Sequence, residues 1–440
     1  MVDLSGSSGQ SGRTGPVTGS FITRGYTAGF VLVTSLFFLW AIANNFNDIL
    51  IRQFQKALDL TRAQAGLIQF AFYLAYFLMA LPAGFLMKRF GYRVGILAGL
   101  SLYACGALLF FPAAIVREYS VFLAALFVLA SGAAFLETAA NPYIVAFGDP
   151  GRASQRLNLA QAFNGFGGVL APILGGLFIF SGVEHSHDTL KTMSAAEVLA
   201  FRVSEARMVQ VPYLVLAAVV ITLALAIAFV KLPKVSQSDH AGGDIATPGK
   251  TNLLGAVIAQ FFYVGAQVGI WSFFVDFVKE MTPQFSEKQA AFMLSASLAL
   301  FMIGRFIGTA LMTRVSPTRM LFIYALFNIA LCLAVIVSPG IIAVIALGLT
   351  SFFMSIMFPT IFATGIKGLG PRTSIGASYI IMAIIGGAIF PPAMGWLGQT
   401  TGHLQYAFVL PAVCFAVIAI YARKAGATSE STSPVSEAGQ

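Results

Sequence analysis

The chain has 440 residues, of which 58% are hydrophobic and 10% charged, and its mean hydropathy is +0.84. Soluble domains run at about 45–50% apolar and about 25% charged, so this chain lacks the charge to cover a soluble surface of its size. Three cysteines exclude a disulfide scaffold, the apolar excess excludes a disordered or collagen-like chain, and a multi-span membrane protein remains. The net charge is +9, from 26 Lys+Arg against 17 Asp+Glu. In a membrane protein such an excess reflects basic loops, so no nucleic-acid partner is expected. Cys105, Cys332 and Cys414 lie in apolar runs without pair spacing and read as free core thiols.

The Gly- and Ser-rich start, through residue 27, and the Ser/Thr/Gly/Pro-rich tail at 423–440 read as disordered ends. No short apolar core with a cleavage site precedes the first span, so no signal peptide is expected. A helix crosses a bilayer with about 20 apolar residues. Stretches of that kind follow at 28–50, 65–87, 94–115, 121–147, 157–180 and 212–230, then at 253–277, 290–312, 320–337, 341–365, 375–397 and 406–422. These twelve predicted spans make an all-α membrane protein. A polar linker at 231–252, carrying Gly and Pro, divides it into an N-terminal half (28–230) and a C-terminal half (253–422). With both termini inside, cytoplasmic segments hold 16 of the 26 Lys+Arg, outer loops hold 9, and Arg305 lies within a span. That bias predicts cytoplasmic termini.

The loop after span five contains Ser194-Ala-Ala-Glu197, a capping-box pattern ahead of an amphipathic run to Val209. It predicts a short surface helix over the outer mouth. His185 and His187 share the loop, but two histidines without a third ligand do not make a metal site, and no metal is expected.

The halves repeat. Gly167-Gly168-x3-Pro172-x3-Gly176 recurs as Gly386-Gly387-x3-Pro391-x3-Gly395, and Pro142-x-Ile144-x-Ala146-x-Gly148 recurs as Pro359-x-Ile361-x-Ala363-x-Gly365. Leu86-Met87-Lys88-Arg89 recurs as Leu311-Met312-Thr313-Arg314. The three pairs lie 217 to 225 residues apart, in the same order. Two related six-helix halves joined by a linker describe the major facilitator architecture, whose substrate site lies near the midplane between them. The Gly and Pro clusters predict close helix contact and local bending in spans five and eleven.

A charge inside a span is costly and marks function by default. Of the 17 acids, 14 fall in tails, loops or span edges, and Asp276 sits at the outer rim of span seven. Asp48 and Glu137 remain. Glu137 lies deep in span four with Asn141 one turn on, and Asp48 has Asn44 and Asn45 one turn back. A carboxyl held away from water exchanges its proton at a pH set by its surroundings, which is the chemistry a proton-coupled carrier uses. By the repeat, Glu137 maps to Met354, so proton handling is expected mainly in the first half. Amides recur at helical spacing: Asn158, Gln161 and Asn164 on span five, Gln260 and Gln267 with Trp271 on span seven, Tyr263 beside them. Amides beside aromatic faces suit a neutral polyhydroxyl substrate, because hydroxyls need donors and acceptors together and a sugar's CH face packs on a ring. They also suit interhelical hydrogen bonding. Arg305 either snorkels to the cytoplasm or lines the inner gate.

The segments SLFFLWAIANNFNDIL (35–50), QAGLIQFAFY (64–73), FLETAANPYI (135–144), LNLAQAFNGFG (157–167), QFFYVGAQ (260–267) and PTIFATGIKGLG (359–370) resemble the fucose–galactose–glucose symporter family of the major facilitator superfamily, nearest its fucose-transporting, proton-coupled members. The resemblance spans nearly all of 28–422. It implies proton-coupled uptake of a neutral monosaccharide by alternating access, with L-fucose favoured. Sodium coupling, or another hexose or amino sugar (glucose, galactose, N-acetylglucosamine), is the alternative, and a proton-driven drug exporter fits less well. It implies no enzymatic activity, no cofactor beyond the coupling ion, and a bacterial inner-membrane protein, with a monomer expected. Carried onto matching positions, Asp48 is the proton carrier and Glu137 joins sugar contact to protonation. Asn45, Asn141, Gln161 and Asn164, with Tyr263, Gln267, Trp271 and Phe358, are substrate-binding candidates. Phe358 stands where the pattern of the fucose-transporting members has Tyr, and the lost hydroxyl leaves the sugar open. Lys88 stands at the usual Asp of the inner-loop motif, so Lys88, Arg89, Arg93 and Arg305 are gate or structural candidates.

Overall fold

A computed structural model describes residues 20–58, 62–178, 193–207, 210–230 and 252–431. Within these, the side chains at 43–44, 46–58, 62–66, 172–178, 205–206, 287 and 428–431 are outside the description. Asp48 and Asn44 therefore contribute helix backbone only, and His185, His187 and the linker at 231–251 lie outside the described residues.

The first half contains α1 (Thr27–Leu58), α2 (Arg62–Phe90), α3 (Tyr92–Val116), α4 (Tyr119–Val145), α5 (Ala153–Phe178), the short α6 (Ala195–Arg207) and α7 (Gln210–Phe229). The second half contains α8 (Leu253–Ser272), α9 (Phe274–Met281), α10 (Glu287–Leu311), α11 (Pro317–Val337), α12 (Gly340–Met354), α13 (Met357–Ile366), α14 (Thr373–Met382), α15 (Gly386–Thr401) and α16 (Val409–Ser431). Ten stretches among the described residues are long and apolar enough to cross a membrane, beside the shorter apolar stretch Thr27–Ile42 of α1. With α1 and α5 they make twelve spans, whose ends alternate between the terminus-bearing end of the bundle and the far end.

Three predicted single spans are broken in the second half. Span seven divides at Phe273 into α8 and α9, span ten at Ser355–Ile356 into α12 and α13, and span eleven at Ala383–Ile385 into α14 and α15. Part of the cause of the second break is local. Pro359 has no N–H, so the carbonyl of Ser355, four residues back, loses its helical partner.

Glycines set the helix spacing where backbones meet. A Cβ at Gly167 would lie 2.6 Å from the Phe38 carbonyl oxygen, and one at Gly386 would overlap the Phe261 carbonyl. The repeated glycines thus do the same work in both halves, pressing span five onto span one and span eleven onto span seven, as the repeat predicted.

The ends are more ordered than composition implies. Thr23 N–H donates to Phe147 O at 2.8 Å and Asp149 N–H to Ser20 O at 3.3 Å, so residues 20–26 dock against the α4–α5 connection instead of being disordered. The tail expected to be disordered from 423 continues as α16 to Ser431. Ala425 is buried and Gly426 rests near Thr318, so packing holds the helix past the apolar run. Cys332 and Cys414 are buried, but Cys105 is exposed on α3. A helix face that meets lipid accepts a thiol as readily as a core does, so hydrophobicity alone did not place Cys105 inside. The capping box forms as expected: Ser194 N–H donates to Glu197 Oε2 at 2.8 Å and Glu197 N–H to Ser194 Oγ at 3.3 Å. α6 packs across α1 and α3.

Candidate functional site

Glu137 is 6% exposed on α4, two turns from its terminus-bearing end. Tyr76 on α2 donates its hydroxyl to Glu137 Oε1 at 3.0 Å, and Phe72, one turn away, packs on the Tyr76 ring. Asn141, one turn along α4, donates Nδ2–H to the Glu137 carbonyl at 2.8 Å. Its Oδ1 accepts from Gln161 Nε2 on α5 at 3.1 Å. A carboxyl–hydroxyl pair and, through the Glu137 main-chain carbonyl, two amides from three helices thereby lie together in one buried polar cluster. In a low-dielectric site such a network is rigid when its members are satisfied.

The network continues into the second half. Arg305, 3% exposed on α10, donates Nη1–H to the Gln161 carbonyl and, at 3.5 Å, to Gln161 Oε1. Its Nε–H donates to Ser355 O at 2.8 Å, filling the acceptor that Pro359 orphans. The guanidinium lies 4.4 Å from the Phe301 ring centroid, and Phe301 meets Trp271 edge to face at 5.0 Å. Arg305 therefore does not snorkel.

The remaining candidates divide. Asn164 is half-buried and donates Nδ2–H to Phe37 O at 3.2 Å, and Asn45 donates to Ala41 O at 2.7 Å. The oxygen of each amide takes no part in those bonds. Asn158 bonds across the halves, from Nδ2 to Thr360 Oγ1 at 3.3 Å. Tyr263 is fully buried and donates to Met354 O at 3.2 Å, with Phe358 packed edge-on at 6.3 Å. Trp271 gives its indole N–H to Ser351 Oγ at 3.0 Å, which leaves its ring faces for contact. Gln267 is half-buried, while Gln260 is fully buried with both amide atoms unpartnered.

Among the basic candidates, Lys88 and Arg89 are exposed at the end of α2. Arg93 bonds the Ile227 and Ala228 carbonyls and so caps the last turn of α7, a structural use. Sequence reasoning missed Tyr76 as the partner of Glu137, though Tyr73 and Tyr76 share a helical face. It also did not single out Arg156.

Among the described residues, hydrogen bonds between the halves involve Gln155, Asn158 and Gln161 of α5 with Arg305, Thr309, Met312 and Thr360. All lie toward the terminus-bearing end. Gly84 of α2 abuts Ser374 and Ser378 of α14 at the same end, and Gly387 of α15 abuts the Tyr73 ring. The halves are joined at one end around a mid-height polar network.

A family model described as Major Facilitator Superfamily matches residues 25–380. The chain belongs to the Major Facilitator Superfamily. This facilitator is 46% identical over 410 residues to the L-fucose-proton symporter of Escherichia coli (strain K12), covering 91% of this chain and 94% of that protein. It is 41% identical over 403 residues to a glucose/galactose transporter of Brucella abortus (strain 2308), covering 89% and 93%. Among solved structures it matches a Major Facilitator Superfamily transporter, FucP, in the outward conformation, with TM-score 0.83, 46% identity, and 91% and 99% of the two chains covered. The proton:xylose symporter XylE, at 13% identity and TM-score 0.66, shares the fold. The facilitator is a multi-pass membrane transport protein of two pseudo-symmetric six-span halves, and its relatives are transporters, not enzymes.

Proposed function

We propose that this chain is a proton-coupled symporter that takes up a neutral monosaccharide, L-fucose favoured, across a bacterial inner membrane by alternating access. The observation that carries this reading is the 46% identity to the L-fucose-proton symporter over nearly the whole of both chains. The site supports it. A buried carboxyl, Glu137, takes the Tyr76 hydroxyl, and its residue is joined by the main-chain carbonyl to Asn141 and then to Gln161 at the interface between halves, where a midplane substrate would sit. Asn45, Asn164 and Gln267 supply amides to sugar hydroxyls, and Trp271 and Phe358 supply aromatic surface. Asp48, on α1, is assigned the coupling proton. The halves are 28–230 and 253–422, and both termini are cytoplasmic, so the end where the halves join is the inner one. The protein works as a monomer.

A second reading keeps the mechanism and changes the cargo to glucose or galactose. The 41% identical glucose/galactose transporter favours it, and Phe358, where the fucose symporter pattern has Tyr, leaves the sugar open. The test is uptake of labelled L-fucose, glucose, galactose and N-acetylglucosamine into proteoliposomes under an imposed proton or sodium gradient. Proton-driven accumulation of L-fucose is expected. Preference for a hexose selects the second reading, accumulation under sodium alone replaces the coupling ion, and no uptake of any sugar sinks the symporter.

A further inference from the structure

We infer that Arg305 is the charged latch between the two halves: it travels with the second half and releases Gln161 whenever the terminus-bearing end opens. The inference rests on the alternating-access reading above.

The guanidinium has unequal attachments. On its own half it fills the Ser355 carbonyl that Pro359 leaves without a helical donor, and it stacks on Phe301, one turn away on the same helix. Removing it would orphan a buried acceptor and strip a desolvated cation from its ring. Across the interface it holds the Gln161 carbonyl, an acceptor placed to serve the helix of α5, with only a long 3.5 Å contact to Gln161 Oε1. When α5 and α10 separate, the cross-interface bonds break, and entering water replaces them on Nη1. The Ser355 bond and the stack do not span the interface and persist.

The other cross-half hydrogen bonds among the described residues are neutral: Gln155 to Thr309, and Asn158 to Thr360 and Met312. Arg305 is the charged member of the set, and no carboxylate among the described residues pairs with it. A charged donor bonded to a carbonyl in a dry interface is strong, yet the same donor is well hydrated once the interface floods. The latch therefore favours closure without locking it. It also touches the candidate site, since the residue it grips is the one whose amide bonds Asn141 beside Glu137. A sugar hydroxyl taking Gln161 Oε1 would compete with the weaker of the two cross-half contacts. Arg305 is a positioning residue on this account, not a sugar ligand.

The test measures conformation rather than transport. Nitroxides at Arg89→Cys and Arg372→Cys, exposed positions on opposite halves at the terminus-bearing end, report the opening by pulsed electron–electron distances in a Cys105→Ser background. Without sugar, Arg305→Met is expected to raise the population of the longer distance several-fold. Arg305→Lys keeps the charge but lacks the fork that reaches both carbonyls, so a smaller shift in the same direction is expected. Lys also carries the test should the Met variant fail to assemble. Unchanged distance distributions in the folded variants, with wild-type Tm, would overturn the latch. Failure of the symporter reading would appear instead as absent sugar uptake by the unsubstituted protein, with the distance shift still measurable.

Discussion

Arg156 gives five hydrogen bonds, all to backbone carbonyls. Nε–H donates to Ile144 O, Nη1–H to Phe21 O and Asp149 O, and Nη2–H to Val145 O and Gly148 O. Ile144 and Val145 are last-turn carbonyls of α4, and Ile144 O also takes the Phe147 N–H at 3.3 Å, so one side chain adds to the cap of that helix and ties down the docked N-terminal segment. Arg156→Met is expected to destabilise by about 3 kcal/mol, because the partly buried carbonyls of Phe21, Val145 and Gly148 lose this donor together. Thermal unfolding followed by thiol labelling of the buried Cys332 and Cys414 reads it. Under the proposed function, the two carboxylates part company on mutation. Asp48→Asn is expected to lose gradient-driven accumulation while keeping sugar exchange. Glu137→Ala is expected to lose sugar binding, since it removes the carboxyl that Tyr76 holds in place. Exchange and equilibrium binding of the same sugar separate the two roles.

At the scale of elements, the surface helix α6 offers a pH test. The Ser194 hydroxyl and backbone N–H bond the Glu197 carboxylate and hold its pKa below the ordinary value of 4.5. A depressed native pKa contributes stability that is present above the ordinary glutamate value, and that is lost as pH falls through the lowered one. Amide protection over 195–207, taken relative to the intrinsic exchange rate at each pH, is expected to hold at neutral pH and to fall as the pH drops below the ordinary glutamate value of 4.5. Ser194→Ala is expected to remove most of that pH dependence and to leave the spans unchanged. This helix start was legible from four residues because a capping box is local chemistry. The break in span seven was not legible, because its sequence reads as a continuous apolar run. In span eleven the Gly and Pro cluster predicted bending but not a parting at Ala383–Ile385, because where a helix parts depends on what its neighbours press against it.

For the whole molecule, closure at the terminus-bearing end depends on small residues as well as on polar bonds. A Cβ at Gly84 would overlap Ser378 Oγ and lie 3.1 Å from the Ser374 carbonyl across the interface. Gly84→Val is expected to wedge α2 from α14 and populate the open form. The check is faster alkylation of a cysteine placed at Ala162, buried on the face of α5 that carries Asn158 and Gly165 toward the second half. A rate matching the parent would mean the interface absorbs the methyl groups by a local shift.

By itself the sequence determined the membrane class, the twelve spans, the repeat and the buried acid Glu137. Each follows from counting apolar length, period and charge, quantities fixed by the bilayer's thickness and the cost of burying a charge. It also isolated Arg305 as a charge inside a span, but left open which way the side chain runs. That was decided by the tertiary structure, because an acceptor orphaned by Pro359 and a carbonyl from the other half come within reach only when α5, α10 and α12 pack together. The same packing chose Tyr76 for Glu137, placed Arg156 under the end of α4 and turned Cys105 outward. Partners distant in the chain are set by which faces meet, and in a chain where nearly every face is apolar, pattern alone does not say which ones do.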